Sequence, residues 1–373
     1  MKSPVITAVR VHHMEGALRE RFGYSLNWIH ARRSTMVEVR TDAGVTGWGE
    51  GSAGCAAAAA VGRPIFEIAG IREEGRVPSR NQRRRGAPTG PGLDMALWDA
   101  IGKALETPVC RLLGKVHRDR VEAYCTALYR KDWPDLAAGL AEEARDWVRR
   151  GYRCLKMKIG YDPVLDENIV AAVREAIGPE ILLGVDSNCA YDSGTAVGLA
   201  RRLEPYHLMW WEEPLLADDL EGFDRLRRET PIPIAAGETE SADWLMANYV
   251  QPGRVDILQP DLENTGLSGF VELNHSCWLN RIRLVPHNWG SALRTAATLH
   301  AMAVCPPLTE ALNPPRLLFE FDRTEHPYRD AVIRQTLDID PADATVAVPM
   351  GPGLGVDVVE EAVAAFRTRL EEY

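Results

Sequence analysis

The chain has 373 residues, 46% of them hydrophobic, enough to bury one large core or to divide into two domains of unequal size. It carries 43 Lys and Arg against 53 Asp and Glu, a formal charge of -10, which speaks against a general affinity for nucleic acid or an anionic membrane and makes a small molecule the expected partner. Seven Cys, an odd number with no Cys-x-x-Cys pair, favour reduced thiols over a disulfide framework and argue against cysteine-bound zinc; with no 18-residue apolar run and too short an apolar start for a secretory signal, the reading is a cytoplasmic protein.

Residues 1–120 are expected to form an α+β capping domain. Two hairpin-like strands open it, "ITAVRVHH" and "STMVEVRTDAGVTGWGE", and an Arg-rich segment (Arg76, Arg80, Arg83, Arg84, Arg85) leads into the amphipathic helix "LDMALWDAIGKAL". From residue 121 short apolar or β-branched runs recur, and eight are predicted as strands: 121–127, 154–160, 181–188, 209–214, 233–238, 255–261, 282–288 and 317–322. Most intervals carry a helix-period segment. "LAAGLAEEARDWVRRG" ends with Arg149 and Arg150 before Gly151, and Ser241 and Ser291 stand where caps belong. Strands alternating with helices imply parallel pairing through right-handed crossovers, and eight such units close into a TIM-type barrel over 121–335. Residues 336–373 supply no further unit and are expected to return to the capping domain.

Catalytic groups of such barrels come from the carboxyl ends of the strands. Here those ends carry Lys156 and Lys158, Asp186 and Asn188, Glu212 and Glu213, Glu238, Asp261, His287 and Glu320 in strand order. The spacings 212−186, 238−212 and 287−261 are each 26, which puts three acids at one height on consecutive strands. Acids at strand-to-helix junctions are ordinarily helix caps or solvated loop residues. Three that converge repel one another unless a cation lies between them, and all-oxygen ligands favour Mg2+ or Mn2+ over Zn2+.

Lys156 and Lys158 are two residues apart on a strand and share a face, so both ammonium groups point to the barrel mouth while Met157 turns away. Mutual repulsion, a metal in the same site and burial are together expected to lower one lysine pKa towards the working pH and make it a general base, although Lys-x-Lys alone also fits snorkelling side chains. Asp261 and His287 suit a second base, the carboxylate holding the far ring nitrogen. His117, His207 and His326 read as structural. Glu320, between Phe319 and Phe321, is expected to have a raised pKa and to donate a hydrogen bond to a developing enolate oxygen.

As a set, "KMK", "VDSN", "WWEEP", "AAGE", "QPD" with "PHN", and "LLFEFD" resemble the motifs of the enolase superfamily, in its mandelate racemase subgroup. "LDMALWDAIGKALETPVCRLLG" is similar to the helix before the barrel and "PGLGVDV" to the returning tail, so the likeness covers nearly the whole chain. The resemblance implies a modified (β/α)7β TIM barrel, with Mg2+ on Asp186, Glu212 and Glu238, Mn2+ being a possible substitute, and a carboxylate substrate losing its α-proton to give an enediolate. It implies Lys158 as base on one face and His287 on the other, with Asp261 orienting His287. Lys156 would tune Lys158 and touch the substrate carboxylate, which Asn188 and Glu320 would help to hold. Glu212 rather than Glu213 is the implied ligand.

Two bases permit dehydration of a mono- or diacid sugar to a 2-keto-3-deoxy product, the first choice in this subgroup, or racemisation or epimerisation of an α-hydroxy acid. A non-catalytic barrel binding an acid predicts a gap in the constellation, and none is found. Metal-dependent hydrolysis would call for histidines on the first strand, and "VEAYCTA" has none. Substrate choice is implied to rest on the N-terminal stretch "HMEGALRERFGYSLNW", where Arg19 and Arg21 could meet a second carboxylate or form part of an exposed charged loop. Trp210, Trp211 and Trp289 make the neighbourhood more aromatic than a sugar pocket requires. "GCAAAAAVGRP" and the Arg-rich segment depart from the family pattern. A homo-oligomer, dimer or octamer, is implied by the family.

Overall fold

The computed structural model describes residues 2–25, 27–70, 90–251, 253–308 and 316–373. The Arg-rich segment lies outside the described residues. An antiparallel sheet comes first, built from β1 (Ile6–Tyr24), β2 (Asn27–Thr41) and β3 (Thr46–Glu50). The stretch read as one strand from Ser34 to Glu50 is two, because the chain turns at Asp42–Gly44 and Gly44 takes a φ of 73°. The expected specificity stretch is not a free loop. It continues the β1–β2 hairpin, which pairs Phe22 with Ile29 and Tyr24 with Asn27.

The helix Pro91–Ala104 lies on this sheet, its apolar face buried from Leu93 to Ile101. Contact is close because β3 offers glycines. A Cβ at Gly47 would lie 2.6 Å from the Ala100 nitrogen and would collide with the Ala96 carbonyl.

Eight parallel strands follow: β4 (Arg120–Thr126), β5 (Cys154–Lys158), β6 (Leu182–Asp186), β7 (Trp210–Glu212), β8 (Ile234–Ala236), β9 (Ile257–Leu258), β10 (Arg283–Leu284) and β11 (Leu318–Asp322). All eight predicted strands are present, the later ones shorter than their sequence runs. Neighbours in sequence pair from β4 to β10, and β11 returns to pair with β4, Glu320 opposite Tyr124. The Glu320 N–H donates to the Pro286 carbonyl across the remaining gap, 3.4 Å. Each strand but the last is followed by a helix, and the architecture is a modified (β/α)7β TIM barrel behind a capping α+β unit.

Side chains alternate across these strands. Tyr124, Cys154, Met209, Trp210, Ala235, Ile257, Val285 and Leu318 fill the barrel axis, while a larger core lies between strands and helices. Helix starts obey local chemistry: Asp135, Asp162, Asp192, Asp219, Ser241, Asp261 and Ser291 each accept a backbone N–H of the first turn, worth about 1 kcal/mol apiece.

After β11 the chain adds β12 (Thr345–Ala347) antiparallel to β4, a pairing the sequence did not announce. It then places β13 (Arg367–Glu372) against the outer edge of β1. Among the described residues no helix is long and apolar enough to cross a membrane.

Candidate active site

The register of the parallel strands assembles the site. Lys158 pairs with Asp186 and Asp186 with Glu212 across β5, β6 and β7, and Glu238 follows two residues beyond β8. Oxygen atoms of Asp186, Glu212 and Glu238 all lie within 4.8 Å of one another. At 4 Å two like charges repel by about 4 kcal/mol at an effective dielectric of 20, so the cluster requires cations.

Two lysines supply positive charge there. Lys156 Nζ is 2.5 Å from Glu212 Oε1, 2.9 Å from Glu320 Oε1 and 3.3 Å from Asp186 Oδ2, and Lys158 Nζ is 2.5 Å from Asp186 Oδ2. Burial pulls both lysine pKa values down, but Glu212 and Glu320 around Lys156 and Asp186 beside Lys158 outweigh it, and both end well above the ordinary range. The lowering expected of one lysine drew on a metal as well as on the like charge and burial, and the surrounding carboxylates by themselves act in the opposite direction. One like charge two residues away is weaker than several carboxylates in contact.

The donor set fits a hard divalent cation: three carboxylates, with Asp186 and Glu212 fully buried. Glu238 Oε2 is buried and accepts no hydrogen bond, although His287 Nε2 lies 3.3 Å away. Burial pushes the Glu212 carboxyl well up, Lys156 opposing and the neighbouring acids adding. The other Glu212 oxygen accepts from Gln259 Nε2 at 2.6 Å and Trp210 Nε1 at 3.2 Å. Neither donor was foreseen, though Gln259 stands two residues before Asp261 and shares its strand face. Glu213 is also buried, with Cys189 Sγ 3.6 Å from its Oε2. Asn188, Cys189 and Glu213 all adopt positive φ at the mouth, conformations that cost about 1 kcal/mol or more each and concentrate at functional sites. Asn188 donates its Nδ2 to Glu238 Oε1 at 3.2 Å and its backbone N–H to Asp186 Oδ1 at 2.9 Å.

On the far side, His287 Nδ1 is 2.6 Å from Asp261 Oδ2, and its Nε2 faces Glu238 and Glu320 Oε2, the latter at 3.5 Å. Burial lowers the imidazole pKa, but Glu238, Glu320 and Asp261 prevail and push it up to about 10. Asp261 is at once a helix cap and the partner of His287, so the ordinary and the catalytic readings of that acid coexist.

Glu320 departs from expectation. Its aromatic neighbours do bury it, which raises its pKa, but Lys156 and His287 override the burial, with Thr126 Oγ1 adding a hydrogen bond, and the carboxyl falls to about 2. Its Oε2 also accepts the Asn288 N–H at 2.8 Å. It is an ionised acceptor here, not a donor.

Arg19 pairs with Glu325 at 2.8 Å and Arg21 with Asp132 at 2.7 Å, ties from the hairpin to the loops after β11 and β4, and neither touches the carboxylate cluster. The hairpin instead turns Phe22 and Tyr24 inward. Tyr24 lies 5.7 Å from Lys158 Nζ, and Phe22 packs edge-on against Tyr129 and Trp289, ring centres 4.9 and 6.4 Å away. Trp210 fills the barrel axis, Trp211 donates outward to Ser187 Oγ at 2.7 Å, and Trp289 carries the Arg32 guanidinium 3.5 Å from its ring centre.

Comparison with known proteins agrees with this geometry. Residues 139–362 match the family model described as enolase C-terminal domain-like. The chain is 36% identical to D-galactarolactone cycloisomerase of Agrobacterium fabrum over 97% of this chain and 98% of that one. It is 30% identical to arabinonate dehydratase of Saccharolobus solfataricus, covering 92% and 94%. The crystal structure of 3,6-anhydro-D-galactonate cycloisomerase from Zobellia galactanivorans superposes with a TM-score of 0.79 at 30% identity, over 98% of this chain and all of that one. The fold, the carboxylate cluster able to chelate a divalent metal and these relatives lead to one conclusion: the chain belongs to the enolase superfamily, in its mandelate racemase-like, acid-sugar-processing subgroup, as an enzyme of enediolate chemistry on a small carboxylate.

Proposed function

We propose that the protein removes the proton α to the carboxylate of an acid sugar and eliminates the β-hydroxyl, giving a 2-keto-3-deoxy acid. The observation that carries this reading is the placement of Lys158 and His287 at the two ends of the series β5 to β10, with the three ligand strands between them and each group against a cluster carboxylate.

Asp186, Glu212 and Glu238 would hold Mg2+, or Mn2+ in its place. When bound, the ion supplies positive charge that stabilises the enediolate and offsets the carboxylates that otherwise hold the lysine ammonium groups. Lys156 and Asn188 would donate to the substrate carboxylate and orient it, and Glu320, ionised against Lys156 here, would join them as a donor only on taking up a proton. Lys158, as the free amine, takes the α-proton, and the C–H electron pair moves into the carboxylate to give the enediolate. As that pair returns, the β C–O bond breaks, and protonated His287 gives its Nε2 proton to the departing hydroxyl, which leaves as water. The enol then ketonises. Asp261 keeps the ring's Nδ1–H engaged and so leaves Nε2 for the substrate.

The two cycloisomerase relatives favour a second reading with the same first step. If the leaving oxygen belongs to a ring, it stays attached and the product is an isomer. Proton return from His287 to the opposite face, without elimination, would give racemisation or epimerisation. The reading extends to a domain division at 1–120, 121–335 and 336–373 and to a cytoplasmic homo-oligomer, dimer or octamer, which light scattering would size.

The test is proton NMR in D2O with Mg2+ over a library of acid sugars, their lactones and simple α-hydroxy acids, with Lys158→Ala and His287→Asn as controls. A 2-keto-3-deoxy product supports dehydration. An isomer formed without loss of water supports the second reading, and deuterium wash-in alone moves the assignment to a racemase. Turnover that survives both substitutions would sink the proposed roles.

A further inference from the structure

Arg294 is a buried cation that the reaction just described does not use. It lies on the helix Ala292–Ala303 behind β10, its side chain 3% exposed, and its Nη1 is 3.2 Å from Asp261 Oδ1. The same nitrogen pairs with Glu263, and its Nε lies 3.7 Å from Glu50 Oε1. Glu50 is the last residue of β3, fully buried, and it accepts both the backbone N–H and the hydroxyl of Ser291. Charges therefore alternate along one line, from Glu50 of the capping sheet through Arg294 to Asp261 and His287.

We propose that Arg294, seated by Glu50, is a positioning residue that fixes the Asp261 carboxylate and through it the ring of His287. The proposal rests on the reading of His287 as a proton-transfer group. Asp261 Oδ2 serves the imidazole alone, 2.6 Å from Nδ1, whereas Oδ1 accepts the Glu263 N–H at 2.6 Å and Arg294. A carboxylate held by a single ring contact and one N–H can turn about its Cβ–Cγ bond. A guanidinium locked on its other side removes that freedom, which matters because proton transfer needs the ring placed to a few tenths of an ångström.

The path of Arg294 is built for this. A Cβ at Gly290 would lie 2.5 Å from Arg294 Cζ, so the bare backbone at 290 is what lets the guanidinium pass to Asp261. Gly290 is also the residue that follows Trp289 on the wall of the mouth. The seat of the arginine thus draws on the capping sheet, the loop after β10 and the helix after β9, which makes the dyad sensitive to how the cap sits on the barrel.

The test uses the full-length protein labelled with 15N-histidine, without substrate. The short Nδ1–H bond to Asp261 should give a ring proton resonance far downfield, assigned by its loss in His287→Asn. Arg294→Gln should shift that resonance upfield or broaden it away, and Arg294→Lys should restore part of it. Gly290→Ala keeps the arginine in the chain but displaces it, and should reproduce the glutamine result. If Arg294→Gln does not fold, Gly290→Ala and Glu50→Gln carry the comparison, with circular dichroism confirming native structure. A resonance unmoved in natively folded variants would show that Arg294 only balances charge, and a wild-type spectrum without a His287-dependent downfield resonance overturns the proposal as well. Failure of the acid-sugar screen would remove the role of His287 in proton transfer and leave this reading of Arg294 to be decided by the resonance alone.

Discussion

Lys156 touches three carboxylates and Lys158 one, while Glu238 Oε2 in the same cluster is buried and accepts no hydrogen bond. Adding Mg2+ should therefore stabilise the protein rather than merely occupy it: at 100 times its Kd the gain is about 2.7 kcal/mol, read as a rise in Tm over an EDTA-treated sample. Asp186→Asn should abolish that rise, and an undiminished rise would place the ion elsewhere. His300 gives a second residue-scale expectation. It is fully buried, its Nδ1 accepts the Cys110 N–H at 3.1 Å, and burial lowers its pKa to about 4 from 6.5. The unfolded chain then binds the extra proton first, so stability should fall as pH drops from about 6.5 to about 4, by on the order of 3 kcal/mol. Denaturant melts of the wild type and His300→Gln across that window check this, and parallel pH slopes would refute it. Buried acids titrate in the same range, which is why the difference between the two proteins is the informative quantity.

Among elements, β3 shows how two apparently featureless residues decide the packing. Gly47 and Gly49 face the helix Pro91–Ala104, and the helix backbone occupies the space where their side chains would be. Gly47→Ala should cost about 3 kcal/mol through overpacking, seen as a lowered urea midpoint with an unchanged m-value. A neutral result would mean that the helix rides freely on the sheet. The eight barrel strands were legible as short apolar runs because both faces of each strand are buried, and the helices between them as 3.6-residue periods ending in recognisable caps. The β1–β2 hairpin was less legible. Its middle, "MEGALRERFG", mixes charges with small residues, and only pairing with β2 makes it a strand. β12 was illegible for the same reason, since three residues carry no period of their own.

At the scale of the whole molecule, the cap is fastened to the barrel by buried charge. Arg32 of β2 donates to Asp322 Oδ2 at 2.9 Å, at the end of β11, and to the Trp289 carbonyl at 2.6 Å, while Arg329 meets the same aspartate oxygen at 2.9 Å. The two arginines hold the Asp322 carboxyl far below the usual range against its burial. Removing one partner of such a group leaves a buried charge uncompensated, so Arg32→Leu should destabilise the fold by about 3–5 kcal/mol, measured by chemical denaturation, and loosen Trp289 at the mouth, measured by its fluorescence. A fluorescence spectrum and stability equal to wild type would show that the cap is held by other means.

The sequence by itself determined the barrel, the order of its strands and the acids, lysines and histidine at their ends, because side-chain period and strand-end position are local properties that survive without knowledge of partners. Only the tertiary structure decided the charge states. One lysine was expected to shift down with a metal beside the pair and Glu320 to shift up, whereas the carboxylate beside Lys158 and the cations beside Glu320, which come from other strands, act the other way. It also decided that Arg19 and Arg21 tie the hairpin down at its outside, and that Gln259, Thr126 and Arg294 stand behind the groups at the mouth. Electrostatic interaction depends on distance in space, and a barrel brings together residues that the chain separates by tens or hundreds of positions.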